Sequence, residues 1–435
     1  MKPLRTLIVS YLFPPTGGAG VGRVLKLVKY LPDHNVLPTV LTAKNPSVPV
    51  IDHSLEKDIS PSLPIVRART FEPGYGVKQA VWSSQGAAPS LSRRAVSKAA
   101  SLAKQALIPD PQVLWLPDAS RILASRLLRG LDDVVFFSAP PFSAFLAAPL
   151  VRLHPRTALV LDYRDEWSTL RTTYEMLAGR SAAWLGGAME TAVVRSAHAI
   201  TTATEAFRSH LLDRFSFLDP AHVVAIPNGY DIHDFPAYLP EPPNNRFVIT
   251  YAGTIFKLTS ARGLLGAIRL LHDRAPSLAS RLEVRFLGRI VDTELDSFEG
   301  TEALGVKCLG YVPKEQVMSE LSASHMVLCL LDDVAGVERI YPAKIFELMH
   351  LERPCLTLSP PGVLTELVER HQLGAIIAPR DEAAIAEFLE KALRSFEAGT
   401  YSIRAPAVDT KRFDRRALAG EFARVFREAS SRTAS

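Results

Sequence analysis

The sequence predicts an α/β protein built as two doubly wound domains of similar size, and three observations carry that prediction. Short β-branched runs alternate with helical stretches from end to end. Several of the runs are apolar without alternation, as parallel strands are when both faces of their sheet are covered. The alternation is interrupted once, at the Pro-rich polar segment Leu239-Pro-Glu-Pro-Pro-Asn-Asn245, and then restarts. A chain of 435 residues suits two or three domains. Its 47% apolar and 22% charged residues are the balance of a globular protein that can bury a core.

The first strand is expected at Leu7–Tyr11. The apolar stretch Thr6–Phe13 is too short for a signal-peptide core and runs directly into Pro14-Pro15. Further strands are expected at Val36–Thr42, Ile65–Arg69, Val134–Ser138, Ala158–Asp162, Ala199–Thr202 and Val223–Ile226, with helices at Val21–Leu31, Phe142–Leu153, Ala182–Ser196 and Glu205–Leu212. The uncharged run Val134–Val151 has the length of a membrane span, but Pro140, Pro141 and Pro149 interrupt it, so it reads as strand, turn and helix. After the Pro-rich break, strands are expected at Phe247–Ala252, Leu282–Leu287, Val327–Leu330, Cys355–Leu358 and Ala375–Ala378. Helices are expected near Leu264–Asp273, Lys314–Ala323, Ala343–His350, Val363–Glu369 and Glu382–Leu393. In the tail, Leu418, Phe422, Val425 and Phe426 share one helical face that must be buried. The expected organisation is a first domain over 1–238, a linker over 239–246, a second domain over 247–408 and a tail helix within 409–435 that packs back on the first domain.

Three cysteines, Cys308, Cys329 and Cys355, exclude a disulfide scaffold and form no Cys-x-x-Cys pair. All three lie in apolar runs and are expected to be buried in a reducing compartment. The net charge of +5 is local: residues 75–130 hold eight Lys/Arg against two Asp, a balance of +6, which leaves about −1 for the rest. Such a concentration points to an anionic surface or a phosphorylated substrate. The segment Ser90–Leu107, with Leu91, Ala95, Ala99, Leu102 and Ala106 on one side and Arg93, Arg94, Lys98 and Lys104 elsewhere, suits an anionic bilayer or a plain surface helix. Nucleic acid is not expected, because no recognition helix or basic surface interleaved with aromatics is visible.

In open α/β sheets, ligands bind beyond the carboxyl ends of the strands, so the residues that matter should follow strands. Phe13-Pro-Pro-Thr-Gly-Gly-Ala-Gly-Val-Gly22 does so. It is neither a P-loop nor a dinucleotide fingerprint, but glycines ahead of a helix let backbone amides approach a phosphate or sugar. Leu161-Asp-Tyr-Arg-Asp-Glu-Trp167 places Asp162, Arg164, Asp165 and Trp167 at a strand end, either to orient a sugar or phosphate or as an ion pair capping the strand. Ile226-Pro-Asn-Gly-Tyr-Asp231 is a strand followed by a turn. After the first strand of the second domain, Gly253, Thr254, Lys257 and Arg262 precede a helix, and the two cations suit a diphosphate. Tyr341, Pro342 and Ala343 open a helix whose N-terminus suits an anion, with Lys344 adding charge. Glu347, one turn on, suits ribose hydroxyls. No Asp-x-Asp, His-Glu-x-x-His or Gly-x-Ser-x-Gly occurs.

Taken in order along nearly the whole chain, these segments resemble glycosyltransferase family 4, the retaining transferases with two Rossmann-like domains facing a cleft (GT-B). Pro14-Pro15 with Gly17-Gly18 is similar to the family's N-terminal loop, and Asp162-Tyr-Arg-Asp165-Glu-Trp167 to the Asp-x-Arg-Asp-x-Trp of bacterial surface-polysaccharide members. Ser196–Thr204 resembles the strand before the cleft, Pro227–Asp231 the interdomain Asn-Gly-x-Asp, and Leu309-Gly-Tyr-Val-Pro313 the segment whose backbone, at Val312, reads the nucleobase. Pro342-Ala-Lys344, Glu347 and Arg353-Pro354 resemble the family's Pro-Ser-Lys, Glu and Pro. The resemblance implies a nucleotide-diphospho-sugar donor held mainly by the second domain. Glu347 would hold the ribose, Lys257, Arg262 and the helix start at 341–343 the diphosphate, and Gly17 and Gly18 would close over sugar and phosphate. Arg164 and Asp165 would face the reacting sugar or acceptor. Two departures stand out: the family's earlier glutamate falls on Arg339, with Glu338 one position off as a sugar contact, and its Gly-Arg is Gly253-Thr254.

The expected function is therefore metal-independent, retaining transfer of a sugar to a glycan or lipid-linked acceptor in surface polysaccharide synthesis. The enzyme would be cytoplasmic, at or near the inner face of the membrane. No cofactor is implied, since the nucleotide-sugar is a substrate. A nucleotide-sugar epimerase of the same fold and a non-catalytic nucleotide-sugar binder are the alternatives, the second favoured by Arg339.

Overall fold

The computed structural model describes residues 2–75, 108–167, 180–238 and 240–433. The basic segment 90–107, read as suited to an anionic bilayer or a plain surface helix, lies outside the described residues. The chain divides into two compact units, Met1–Pro227 with Leu418–Ser435, and Asn228–Ala417.

The first unit holds a seven-stranded sheet in the order β3-β2-β1-β4-β5-β6-β7. Its strands are β1 (Leu4–Val9), β2 (Val36–Ala43), β3 (Ile65–Ala68), β4 (Val134–Ala139), β5 (Ala158–Tyr163), β6 (Ala199–Thr202) and β7 (Val223–Ala225). All pairings are parallel, with Ile8 of β1 set between Val40 of β2 and Phe136 of β4. Every residue of β4 and β5 is buried, which explains their continuous apolar runs. Successive side chains point to opposite faces. Leu7, Val9, Val135, Phe137, Leu159 and Leu161 join a core with Trp115, Leu123 and Phe145. Ile8, Val40, Val134, Phe136 and Val160 join another with Val24 and Leu25 of α1 (Ala19–Tyr30) and Phe422 and Phe426 of the C-terminal helix.

Helix α2 (Leu116–Leu128) was not expected; α3 (Arg180–Ser196) and α4 (Glu205–Arg214) follow β5 and β6 as expected. The helix expected over Phe142–Leu153 forms as a 3-10 helix over those residues. Pro149 lies inside it and has no N–H to give to a preceding carbonyl, which interrupts regular α-helical bonding.

The second unit repeats the plan with six strands in the order β10-β9-β8-β11-β12-β13. They are β8 (Phe247–Ala252), β9 (Leu282–Leu287), β10 (Val306–Gly310), β11 (Met326–Leu330), β12 (Cys355–Leu358) and β13 (Gly374–Ile377), all parallel. Its helices are α5 (Arg262–Arg274), α6 (Lys314–Ser322), α7 (Lys344–Leu351), α8 (Val363–Arg370) and α9 (Glu382–Glu397). Strand β10 was not expected: it is an edge strand that buries only Val306 and shows no apolar alternation. Cys308 lies on it and is exposed, against the expectation of burial, whereas Cys329 and Cys355 are buried.

The Pro-rich stretch lies within the second unit, not at its edge. Arg353 donates to the Pro240 carbonyl at 3.4 Å and Arg281 to the Asn245 carbonyl at 3.0 Å. The chain passes between units at Pro227/Asn228 and again at Ala417/Leu418. That second passage falls inside α10 (Arg415–Thr433), whose Phe422 and Phe426 meet the Phe136 ring at 5.6 and 5.2 Å. Burial of each phenyl ring contributes about 1.5–3 kcal/mol, enough to dock this helix firmly on the first sheet. Among the described residues no helix is long and apolar enough to cross a membrane.

Candidate functional site

Each sheet has a switch point where strand order reverses, between β1 and β4 in the first unit and between β8 and β11 in the second. The motifs singled out from the sequence follow the carboxyl ends of strands, after β1 and β8 beside these points and also after β5, β7, β10 and β11.

In the first unit the glycine-rich loop follows β1 and is tied down by backbone bonds. The Gly17 amide donates to the Val50 carbonyl at 3.0 Å and the Asp52 amide to the Pro15 carbonyl at 2.7 Å. Gly18 has φ +97°, a conformation L side chains rarely adopt, and it caps α1 without a side-chain bond. A Cβ on Gly20 would stand 2.9 Å from Leu12 Cδ1 and 3.4 Å from an Arg164 guanidinium nitrogen.

That guanidinium is buried. It donates to the carbonyls of Gly20 and Pro140, and its Nε has no partner among the described residues. Arg164 thus braces the glycine loop against the turn after β4 and gives its two terminal nitrogens to backbone. Asp162 likewise belongs to the scaffold. Its oxygens accept from Arg23 Nε at 3.0 Å, Arg23 Nη2 at 2.8 Å, Ser138 Oγ at 2.8 Å and Thr201 Oγ1 at 2.7 Å. Burial pushes this carboxyl up, and Arg23 more than reverses it, so the group is held below its ordinary range. Arg23 also donates to the carbonyls of Ile226 and Pro227, both at 2.9 Å, which joins α1, β5 and the end of β7. Trp167 is fully buried and stacks on Phe142 at 4.9 Å, within the core. Asp165 differs from its neighbours: its carboxylate has no hydrogen-bond or ion-pair partner among the described residues. Burial raises it against the pull of Arg164. Of the Asp-x-Arg-Asp-x-Trp segment, Asp165 is the group left for chemistry.

In the second unit, Gly253 follows β8 and its amide donates to the Leu287 carbonyl at 2.8 Å. Gly288 has φ +134°, and a Cβ there would stand 2.1 Å from the Gly253 carbonyl oxygen, so two backbones meet without side chains. The Thr254 carbonyl accepts from Thr259 Oγ1 at 2.6 Å, which closes the short turn that carries Lys257. Lys257 is exposed and ion-paired with no described residue. Arg262 is instead engaged with Asp296 at 2.6 Å and Glu294 at 3.5 Å. Lys257 is therefore the available cation of this loop.

Across the switch point, Ala343 caps α7 with no side-chain bond. Pro342 has no N–H to give. The amides of Tyr341 and Ala343 have no partner among the described residues. Lys344 Nζ binds Glu347 Oε2 at 2.7 Å, and Lys314 Nζ binds Glu347 Oε1 at 3.2 Å and also Asp234. Burial pushes the Glu347 carboxyl up, and the two lysines overcome it, holding it down at about 2. Glu347 is thus an ionised acceptor near a helix N-terminus, flanked by ammonium groups. Glu338 is half exposed and pairs with Arg339. Val312 is partly buried against the core, and its amide and carbonyl have no partner among the described residues. The sequence reading missed Lys314 and Asp234. The one signal for Lys314 is its place immediately after Val312-Pro313.

A family model described as Glycosyl transferase 4-like domain matches residues 23–229, and one described as Glycosyl transferases group 1 matches residues 246–395. No curated protein matches the chain. Three solved structures are similar throughout. Sucrose-phosphate synthase from Thermosynechococcus elongatus is 14% identical, with a TM-score of 0.64 over 99% of this chain and 100% of that one. HepE from Anabaena, solved in complex with UDP and glucose, is 15% identical, with a TM-score of 0.61 over 98% and 100%. A putative UDP-N-acetylglucosamine 2-epimerase from Listeria monocytogenes is 12% identical, with a TM-score of 0.52 over 97% and 95%. At these identities the likeness shows the fold, which transferases and an epimerase share.

Proposed function

Because this chain belongs to the family-4-type glycosyltransferases of the GT-B fold, we propose that it moves a sugar from a nucleotide-diphospho-sugar to a glycan or lipid-linked acceptor in surface polysaccharide synthesis. Transfer would retain the anomeric configuration and need no metal or cofactor. The enzyme would work in the cytoplasm, at or near the inner membrane face. The observation that carries the donor assignment is Glu347, an ionised carboxylate of the α7 first turn with lysines on both sides. Ribose hydroxyls are donors and need such an acceptor, and a diphosphate needs the neighbouring amides and Lys257.

In this reading the nucleobase lies against the free backbone groups of Val312, and the ribose hydroxyls displace Lys344 from Glu347. Lys344 then turns to the diphosphate, where Lys257 and the first amides of α7 also neutralise the negative charge that grows as the glycosidic bond breaks. Within the first unit Asp165 is the group to accept a proton from, or orient, an acceptor hydroxyl, while Arg164 holds the glycine loop in shape. The complex of HepE with UDP and glucose supports a uridine nucleotide as the first donor to try. The absence of any Asp-x-Asp from the sequence supports transfer without a metal.

Thermal stabilisation by UDP-, GDP-, ADP- and dTDP-sugars in EDTA, on wild type and on Glu347→Ala, tests the assignment. The expected result is a shift with one nucleotide that the variant loses. No shift with any donor, in a folded protein, rejects it. Incubation with the bound donor alone then separates transferase from epimerase: epimerised donor in place of transferred sugar rejects the proposed reaction.

A further inference from the structure

One partly buried lysine of the second unit has no role in the sequence reading. Lys314 is the first residue of α6, and its Nζ reaches two carboxylates at once, Asp234 Oδ2 and Glu347 Oε1. Its side chain is 24% exposed, and those carboxylates are 6% and 13% exposed. Helix α6 does not need this charge in order to dock, because Val317, Met318 and Leu321 already bury its apolar side in the core. Holding an ammonium in such a place costs solvation and side-chain entropy. Lys314 also follows Val312-Pro313 directly, so the turn with the unused Val312 backbone groups and the Glu347 carboxylate are joined through one side chain.

We infer that Lys314 is a positioning residue of the donor site, which fixes Glu347 Oε1 toward the two hydroxyls of a ribonucleotide and ties that carboxylate to the turn at Val312. The inference rests on the assignment of Glu347 as the ribose ligand. Lys344 and Lys314 differ in what else they hold. Lys344 has Glu347 as its ion-pair partner, while Lys314 is anchored by Asp234 as well. When ribose arrives, Lys344 is the lysine that leaves and Lys314 the one that stays. Glu347 then keeps one charge-assisted bond that fixes its plane and presents its other lone pairs to the diol.

Calorimetric titration of the full chain with UDP, GDP, ADP and dTDP, followed by the 2′,3′-dideoxy analogue of whichever binds, tests this. Lys314→Met is expected to weaken the bound nucleotide about tenfold, the scale of one lost hydrogen bond to a charged group. Glu347→Gln should weaken it at least as much, and the double variant no further, because the two act as one unit. The dideoxy analogue should bind wild type and Lys314→Met equally, a result that mere loss of local structure would not produce. Lys314→Arg should recover part of the affinity. Should Lys314→Met fail to fold, Lys314→Arg and Asp234→Asn carry the test, both expected to weaken the nucleotide but not its dideoxy analogue. Unchanged affinity in the folded variants, additive losses, or an equal loss for the dideoxy analogue overturns the inference alone. A wild type that binds none of the four nucleotides overturns the donor assignment beneath it.

Discussion

Asp162 and Glu347 are both ionised and both held below the ordinary carboxylate range by cations, yet one belongs to the scaffold and the other to the candidate site. The difference lies in their donors. Asp162, in the first unit, accepts from an arginine, a serine and a threonine drawn from α1, β4 and β6, and its side chain is 0% exposed. No lone pair is left for a ligand, and no donor can move without disturbing the sheet. Glu347, in the second unit, is 13% exposed, and its bonds come from the ends of two lysine side chains. An ammonium on a four-carbon stem exchanges partners readily; a bidentate guanidinium in a core does not. A depressed carboxylate marks a site only when the groups that depress it are free to let go.

The sharpest way to break this comparison is Arg23→Met. It leaves Asp162 buried without its cation and should cost about 3–5 kcal/mol, read as a lower urea midpoint for the first unit. A loss under about 1 kcal/mol would show that the pair does not hold the scaffold.

A third carboxylate extends the comparison. Burial raises Asp110 to about 6, with no cation among the causes of its shift. Its folded value lies above the ordinary 3.8, so its contribution is fully present below about 4 and is lost as pH rises through about 6. Asp110→Asn should therefore stabilise the protein at pH 7, by up to about 3 kcal/mol, and change little at pH 4. Glu347 runs the other way: its contribution is present above about 4.5 and is lost as pH falls toward 2, so Glu347→Gln should flatten the acid limb of the unfolding curve. Chemical denaturation from pH 3 to pH 8 checks both signs.

Nucleotide binding sharpens the contrast further. At a hundredfold excess over Kd a ligand stabilises its site by about 2.7 kcal/mol, and Glu347→Gln should lose most of that added stability. The smallest effect expected is that of Lys257→Ala. As an exposed cation with no described ion-pair partner, it should leave the melting temperature unchanged and raise the donor KM by a few-fold, about 1 kcal/mol. An unchanged KM would move the diphosphate away from the loop after β8.

Much of the fold is legible because buried parallel strands are continuous apolar runs. Ala199–Thr202, Phe247–Ala252, Leu282–Leu287 and Cys355–Leu358 form where the residues predict. Strand β10 is not legible, because an edge strand that buries only Val306 carries no pattern, and the burial of Cys308 was misjudged for the same reason. In the candidate site, Glu347 and Lys344 are legible as neighbours on one helix, three residues apart. Arg262 is legible as a cation near a helix start, but its engagement with Asp296, 34 residues away, is not.

The sequence by itself determined the two sheets, their order along the chain, the glycine positions ahead of α1 and the residue types gathered at the strand ends. These follow from local periodicity and turn chemistry, which each segment carries within itself. Tertiary structure alone decided which charged groups are used up. Arg23 and Asp162 are 139 residues apart and Lys314 and Asp234 are 80 apart. Such pairs arise only when strand order and helix packing bring separate segments together, because an ion pair requires atoms within a few ångströms and no local pattern encodes that distance.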